Sequence, residues 1–183
     1  MSAVPTYVAF LRAINLGATR TFPKDAIKAA TEAAGGSDVE TYINTGNVRL
    51  STPMRSRAKV EAALEAAFES DRGFAVPTIV FTPQELQDIV SDADELAAEM
   101  ESLGRHYVSL LKQPPPADVL ALAQEASTDA ERLVVRGRAA HLLMAERDSY
   151  HTATLSNSWV ERRLGVATNR NMRVVRAVTE KWC

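Results

Sequence analysis

The sequence predicts an α+β fold built of two ferredoxin-like (alpha-beta plait) subdomains in tandem, the second incomplete and ending in a C-terminal helix. Three observations carry that prediction. Short apolar runs rich in β-branched and aromatic residues alternate with segments whose apolar residues recur at helical spacing. The first 90 residues read in the order βαββαβ, the split βαβ arrangement of a plait. After residue 104 the order βαββα echoes the first half. The expected organisation is residues 1–90 as the first subdomain, 91–104 as a linker, and 105–183 as the second subdomain with its C-terminal helices.

The elements follow in order. Tyr7-Val8-Ala9-Phe10-Leu11 is an unbroken apolar run, as a strand buried on both faces requires. Pro23 opens a helix through about residue 34, with Ile27, Ala30, Thr31 and Ala34 on one side and Gly35-Gly36 as its left-handed exit. Strands near 39–43 and 48–51 are joined by an Asn-Thr-Gly-Asn turn, in which Gly46 is the residue able to take positive φ. Alternation sends Val48 and Leu50 to one face and Asn47, Arg49 and Ser51 to a solvated one.

A helix over 57–70 carries Val60, Leu64, Ala67 and Phe68 as one stripe, and Pro77 marks the following strand, 76–81, as an edge or a strand start. Thr82-Pro83-Gln84-Glu85 reads as a capping box starting a short helix that buries Leu86, Ile89 and Val90. Residues 91–104 are acidic and weakly patterned. In the second half the sequence predicts a strand over 107–111, a stiff Pro114-Pro115-Pro116 connector, a helix over 117–126 and a hairpin of 133–135 with 140–144. A helix over 155–164 follows, and a last one has Met172, Val175, Val178 and Trp182 on one face.

Composition excludes several classes. At 183 residues a chain buries roughly 70% of its unfolded surface, so neither a disulfide nor a metal is needed to hold the fold. Cys183 is the single cysteine, which rules out an intramolecular disulfide and a Cys-based metal cluster. The net charge of −2 supplies no global field for nucleic acid, and the basic and aromatic strand of an RNA-binding plait is missing. No apolar run spans a bilayer and no export signal opens the chain, so the expected location is cytoplasmic.

The chemistry-bearing residues cluster at chain reversals. Arg12, Asn15 and Gly17 follow the first strand; Tyr42, Asn44, Gly46 and Asn47 form the first hairpin turn; Arg170 and Asn171 precede the last helix. A guanidinium can grip a carboxylate or phosphate through two parallel hydrogen bonds, or it can anchor a loop by donating to carbonyls. Asn15 before Gly17 reads as a turn in which the amide bonds the backbone, and Asn44 and Asn47 either brace their turn or hold a polar ligand. Tyr42 either packs or presents its hydroxyl, and Arg20 adds a cation to the first loop.

No catalytic residue is expected. His106, His141 and His151 lack metal-motif spacing, and Asp148-Ser149-Tyr150-His151 crowds triad residue types into one loop, where a triad is normally assembled from distant segments. Neither a phosphate loop nor a dinucleotide fingerprint occurs. No cofactor and no metal are therefore expected. The expected partner is a small or phosphorylated ligand held by the nine residues, without nucleic acid or membrane, and a homodimer is compatible with this reading. The alternatives are an interaction protein whose Arg and Asn groups stabilise the fold, and an enzyme of unassigned reaction.

Arg12 with Ile14-Asn15-Leu16-Gly17, then the segment from Thr41 to Val48, then Ser156-Asn157 and Leu164 to Asn171, together resemble in order the domain of unknown function 1697 family of bacterial proteins. The resemblance implies an α+β protein of ferredoxin-like subdomains and no assigned activity. It also implies a Lys after the Gly17 turn, an Arg and a Lys before the helix at Leu155, and a Trp after the Arg-Asn pair. This sequence has Thr19, Thr152, Thr154 and Met172 there.

Overall fold

The computed structural model describes residues 4–145 and 150–183. One seven-element pattern occurs twice along the chain. Its first copy is β1 (Thr6–Leu11), α1 (Lys24–Ala33), β2 (Ser37–Tyr42), β3 (Asn47–Ser51), α2 (Arg57–Arg72), β4 (Thr78–Phe81) and α3 (Pro83–Ala98). The second is β5 (Arg105–Leu111), α4 (Ala117–Glu125), β6 (Glu131–Arg136), β7 (Ala139–Met144), α5 (Asn157–Leu164), β8 (Ala167–Asn171) and α6 (Met172–Trp182), with a 3-10 turn, Tyr150–Thr152, before α5. The fold is α+β: two four-stranded sheets, antiparallel at every pairing, and six α-helices among the described residues. The strand orders, β2-β3-β1-β4 and β6-β7-β5-β8, are the same permutation. The chain packs as two compact units, residues up to Glu85 with Trp182–Cys183, and Leu86–Lys181.

In the first unit, β1 places Tyr7, Ala9 and Leu11 against α1 and α2, where they meet Ile27, Ala30, Val60, Leu64 and Phe68. Phe22 stands edge-on to Phe68 with ring centres 5.3 Å apart. The opposite face of the sheet is buried too: Val8, Phe10, Ile79 and Phe81 are 0–1% exposed. Hence the hairpin's second face is not the solvated surface that alternation alone predicts. Asn47 is fully buried and Ser51 nearly so, because both sides of this sheet are covered.

β4 is an edge strand beginning just after Pro77, and α2 closes its open side. Glu65 Oε1 accepts from the Thr78 N–H at 2.8 Å and Glu61 Oε1 from the Val80 N–H at 3.0 Å. One helical turn separates these carboxylates, so they meet every second N–H along the strand, occupying donors that could otherwise template another strand. The capping box forms as well, with the Thr82 N–H donating to Glu85 Oε2 at 2.8 Å and the Glu85 N–H to Thr82 Oγ1 at 3.2 Å.

The second unit corrects two expectations. Its sheet is complete: β8 pairs antiparallel with β5 along its whole length, from Tyr107↔Asn171 to Leu111↔Ala167, so the second half does not lack its last strand. Ala-Thr-Asn-Arg-Asn carries no apolar alternation, and the strand exists because β5 supplies a ladder for its backbone. Nor does α3 stop near Val90. It runs to Ala98 and buries Leu86, Ile89, Ala93 and Leu96, a stripe thinned by one alanine. Its acidic residues, and Glu99 just beyond it, reach arginines: Arg136 bonds Asp92 and Glu95, Arg176 bonds Asp94, and Arg132 bonds Glu99. On the other side of this sheet, Leu111, Leu133, Ala140, Leu142 and Ala167 pack with Ala123, Trp159, Val160 and Leu164 of α4 and α5.

Candidate functional site

Residues 12–22, between β1 and α1, and the turn 43–46, between β2 and β3, form one structure in the first unit. Its backbone is unusual. Ala13, Asn15 and Ile43 have φ of 55°, 54° and 49°, in a region that costs a residue bearing a Cβ about 1–2 kcal/mol. Strained conformations persist where the surroundings over-determine them, and they concentrate at ligand clamps.

Asn15 supplies that determination. Its Oδ1 accepts from the Phe22 N–H at 2.8 Å, and its Nδ2 donates to Phe22 O at 3.1 Å and to Asn44 O at 2.7 Å. One side chain thus closes its own loop and ties it to the hairpin turn, while the Asn15 N–H donates to Arg20 O at 2.8 Å. Arg20 is a second clamp. Its Nε donates to Ala13 O and its terminal nitrogen to Ala75 O, both at 2.6 Å, and its guanidinium lies 4.5 Å from the centre of the Phe74 ring. This is the loop-anchoring role of an arginine.

The hairpin turn is braced from within. Gly46, at φ 78°, accepts from the Leu11 N–H at 2.8 Å and presses against Leu11 and Ile14. Buried Asn47 donates to Tyr42 O at 2.9 Å and to Thr45 Oγ1 at 3.0 Å. Tyr42 is half-buried, its ring edge-on to Trp182 at 6.4 Å, and the Trp182 indole N–H donates to Glu40 at 3.1 Å. Arg12 follows β1, half-buried, with its backbone N–H on Pro77 O.

Beside this scaffold lies an open cleft of about 580 Å³, lined by Asn15, Gly17, Thr21, Pro23, Lys24, Asp25 and Asn44. Helix α1 begins there. Pro23 occupies its N-cap position and no side chain caps the first turn. Asn15, Gly17 and Asn44 are therefore brought to one cavity, with Gly46, Asn47 and Tyr42 in the turn beside it. Reasoning from sequence missed Thr21, Pro23, Lys24 and Asp25; the signal was a helix start with proline in place of Ser, Thr, Asp or Asn at the N-cap position, which leaves the first-turn N–H groups without a side-chain cap.

Arg170 and Asn171 belong to the second unit. Arg170 is buried and donates to Thr168 Oγ1 at 2.9 Å and to Asn169 O at 2.8 Å; burial lowers its pKa to about 10. Asn171 Oδ1 accepts from the Arg173 N–H at 2.9 Å, the bond of an N-cap on α6. Asn171→Ala is expected to lower stability by about 1 kcal/mol, read as a shift in urea midpoint; an unchanged midpoint would remove the capping role. Of the loop with triad residue types, Asp148 and Ser149 lie outside the described residues, and His151 is exposed.

The family model described as "Protein of unknown function (DUF1697)" matches residues 4–141. The chain belongs to the DUF1697 family. The match includes every residue of the cleft, whereas Arg170 and Asn171 fall beyond it. Among solved structures, the conserved bacterial protein SP0830 from Streptococcus pneumoniae is similar over 98% of each chain, with a TM-score of 0.77 and 18% identity. That likeness shows a shared fold. No curated protein matches this DUF1697 chain. No helix among the described residues is long and apolar enough to cross a membrane, and no group of three or more potential metal-binding side chains occurs among them.

Proposed function

We propose that this DUF1697 protein is a cytoplasmic binding module for a small anionic ligand, a phosphorylated metabolite in particular, taken up in the cleft at the start of α1. The observation that carries the reading is the division of labour around that cleft. Asn15 and Arg20 spend their donors on main-chain oxygens and hold the walls, whereas the exposed Asn44 offers its main-chain carbonyl to the scaffold and its side-chain amide makes no hydrogen bond among the described residues. Lys24 and the side-chain-uncapped first turn of α1 add positive potential on the same wall, the arrangement that favours a phosphate or carboxylate. Asp25 lines the cleft too, so the favoured ligand carries a donor as well as an anion. The repeated seven-element order and common strand permutation support reading each half as an alpha-beta plait, a tandem ferredoxin-like scaffold.

A structural role in protein interaction is the second reading, favoured by one observation: Asn15, Asn47, Arg170 and Asn171 all bond the main chain. Thermal-shift screening with phosphorylated metabolites separates the two. The binding reading expects compounds that raise the melting temperature of the native chain and act several-fold more weakly on Lys24→Ala/Asn44→Ala, whose unliganded melting temperature stays near that of the native chain. Equal shifts in both proteins, or no shift with any compound, would refute it.

A further inference from the structure

His106 and His141 are read separately in the sequence, but strand pairing joins them. Register places Val108 opposite His141 and His106 opposite Leu143, so the two imidazoles are diagonal neighbours on one face of the second sheet. His106 Nε2 and His141 Nδ1 are 3.0 Å apart. His141 is fully buried, His106 is 9% exposed, and the outer nitrogen of His141, Nε2, makes no hydrogen bond.

The surroundings are cationic on the sheet and anionic on α3. Val108 also stands opposite Arg170, Arg136 of β6 holds Asp92 and Glu95 of α3, and Arg132 of β6 holds Glu99 just past that helix. Arg176 of α6 holds Asp94. Neutral imidazoles therefore sit within a layer whose rim is pinned by ion pairs.

We propose that the His106–His141 pair is an acid-sensitive latch: proton uptake breaks the imidazole contact and loosens the α3 and α6 layer of the second unit. Only one N–H fits between the two facing nitrogens. A first proton on His106 preserves the contact, because its Nε2–H then donates to His141 Nδ1. A second sets N–H against N–H and adds charge beside Arg136 and Arg176, while the His141 Nε2–H that the first-proton arrangement already requires stays buried without an acceptor.

The direction in pH follows. Burial, and then Arg176, lower the pKa of His106 to about 4 against the pull of Asp94; burial, then His106 and Arg136, lower that of His141 to about 3. An unfolded histidine titrates near 6.5, so between roughly pH 6.5 and 4 the open state binds more protons than the closed one. The stabilising effect of neutral imidazoles is complete above pH 6.5 and is lost as pH falls through the folded values.

Hydrogen exchange followed by mass spectrometry on the whole chain, with rates corrected for intrinsic pH dependence, tests the latch. Between pH 7 and 4.5, α3, β5 and β7 are expected to lose protection by at least about tenfold relative to α1 and α2. In His106→Leu/His141→Leu the acid transition should move down by about one pH unit. Uniform loss across both units, or an unchanged transition in the variant, would overturn the proposal. If the variant does not fold, imidazole titration of the native chain by NMR decides: titration of the His106 and His141 rings below pH 5 supports the latch, and either of those two titrating near 6.5 ends it.

Discussion

Gly46→Val is expected to lower the unfolding free energy by about 2–5 kcal/mol, a large part of the 5–15 kcal/mol typical of a domain. Two costs add. At φ 78° a β-branched residue occupies the left-handed region, for about 1–2 kcal/mol. Its Cβ would also stand 2.7 Å from Leu11 Cβ and 2.9 Å from Ile14 Cδ1, both in side chains buried in the first unit's core. Overpacking of this kind costs about 1–3 kcal/mol. The turn cannot slide away, since Gly46 O is held by the Leu11 N–H at 2.8 Å. Gly17 provides the control: its φ is 70°, yet nothing lies within 4 Å of an added Cβ, so Gly17→Ala carries the conformational cost alone, about 1 kcal/mol. Urea denaturation measures both, and a loss below about 1.5 kcal/mol for Gly46→Val would show that the turn relaxes.

Asn15→Ala is expected to cost about 2.5–4.5 kcal/mol and to weaken ligand binding in the cleft in parallel. Each of its three side-chain hydrogen bonds contributes roughly 0.5–1.5 kcal/mol, at the lower end where Asn44 O is reachable by water. Alanine at φ 54° adds about 1 kcal/mol, because asparagine tolerates that conformation better. Asn15→Asp should be no milder. It retains an acceptor for the Phe22 N–H but sets a carboxylate against two carbonyl oxygens. Asn44→Ala, by contrast, should leave stability within about 0.5 kcal/mol, since the scaffold uses its main-chain oxygen. If Asn15→Ala and Asn44→Ala had equal effects on stability, the stapling role would be wrong.

These contrasts mark how far residue types reveal a site. The turn Asn44-Thr45-Gly46-Asn47 stood out because amides and a glycine interrupted strands built for burial, and its special backbone is what the structure contains. The bonds made by each amide were not legible. Asn15 and Asn44 are 29 positions apart, and only folding decides that one braces the other through a main-chain oxygen. Lys24 and Asp25 read as an ordinary helix start; their relevance comes from the cavity beside them. The imidazole pair likewise depends on the register of β5 with β7, which carries residues 35 apart into contact.

Local periodicity and punctuation determined β1, α1, α2, the hairpin turn, the capping box at Thr82 and the apolar stripe of α6, because each of these follows from interactions within a few residues. Tertiary structure alone decided that the polar segment Ala167–Asn171 is a strand, that Asn47 is buried, and that the acidic residues of α3 serve as anchors for arginines. A strand with no apolar alternation takes its conformation from the neighbour that satisfies its backbone, and a polar side chain takes its role from the partner that folding delivers.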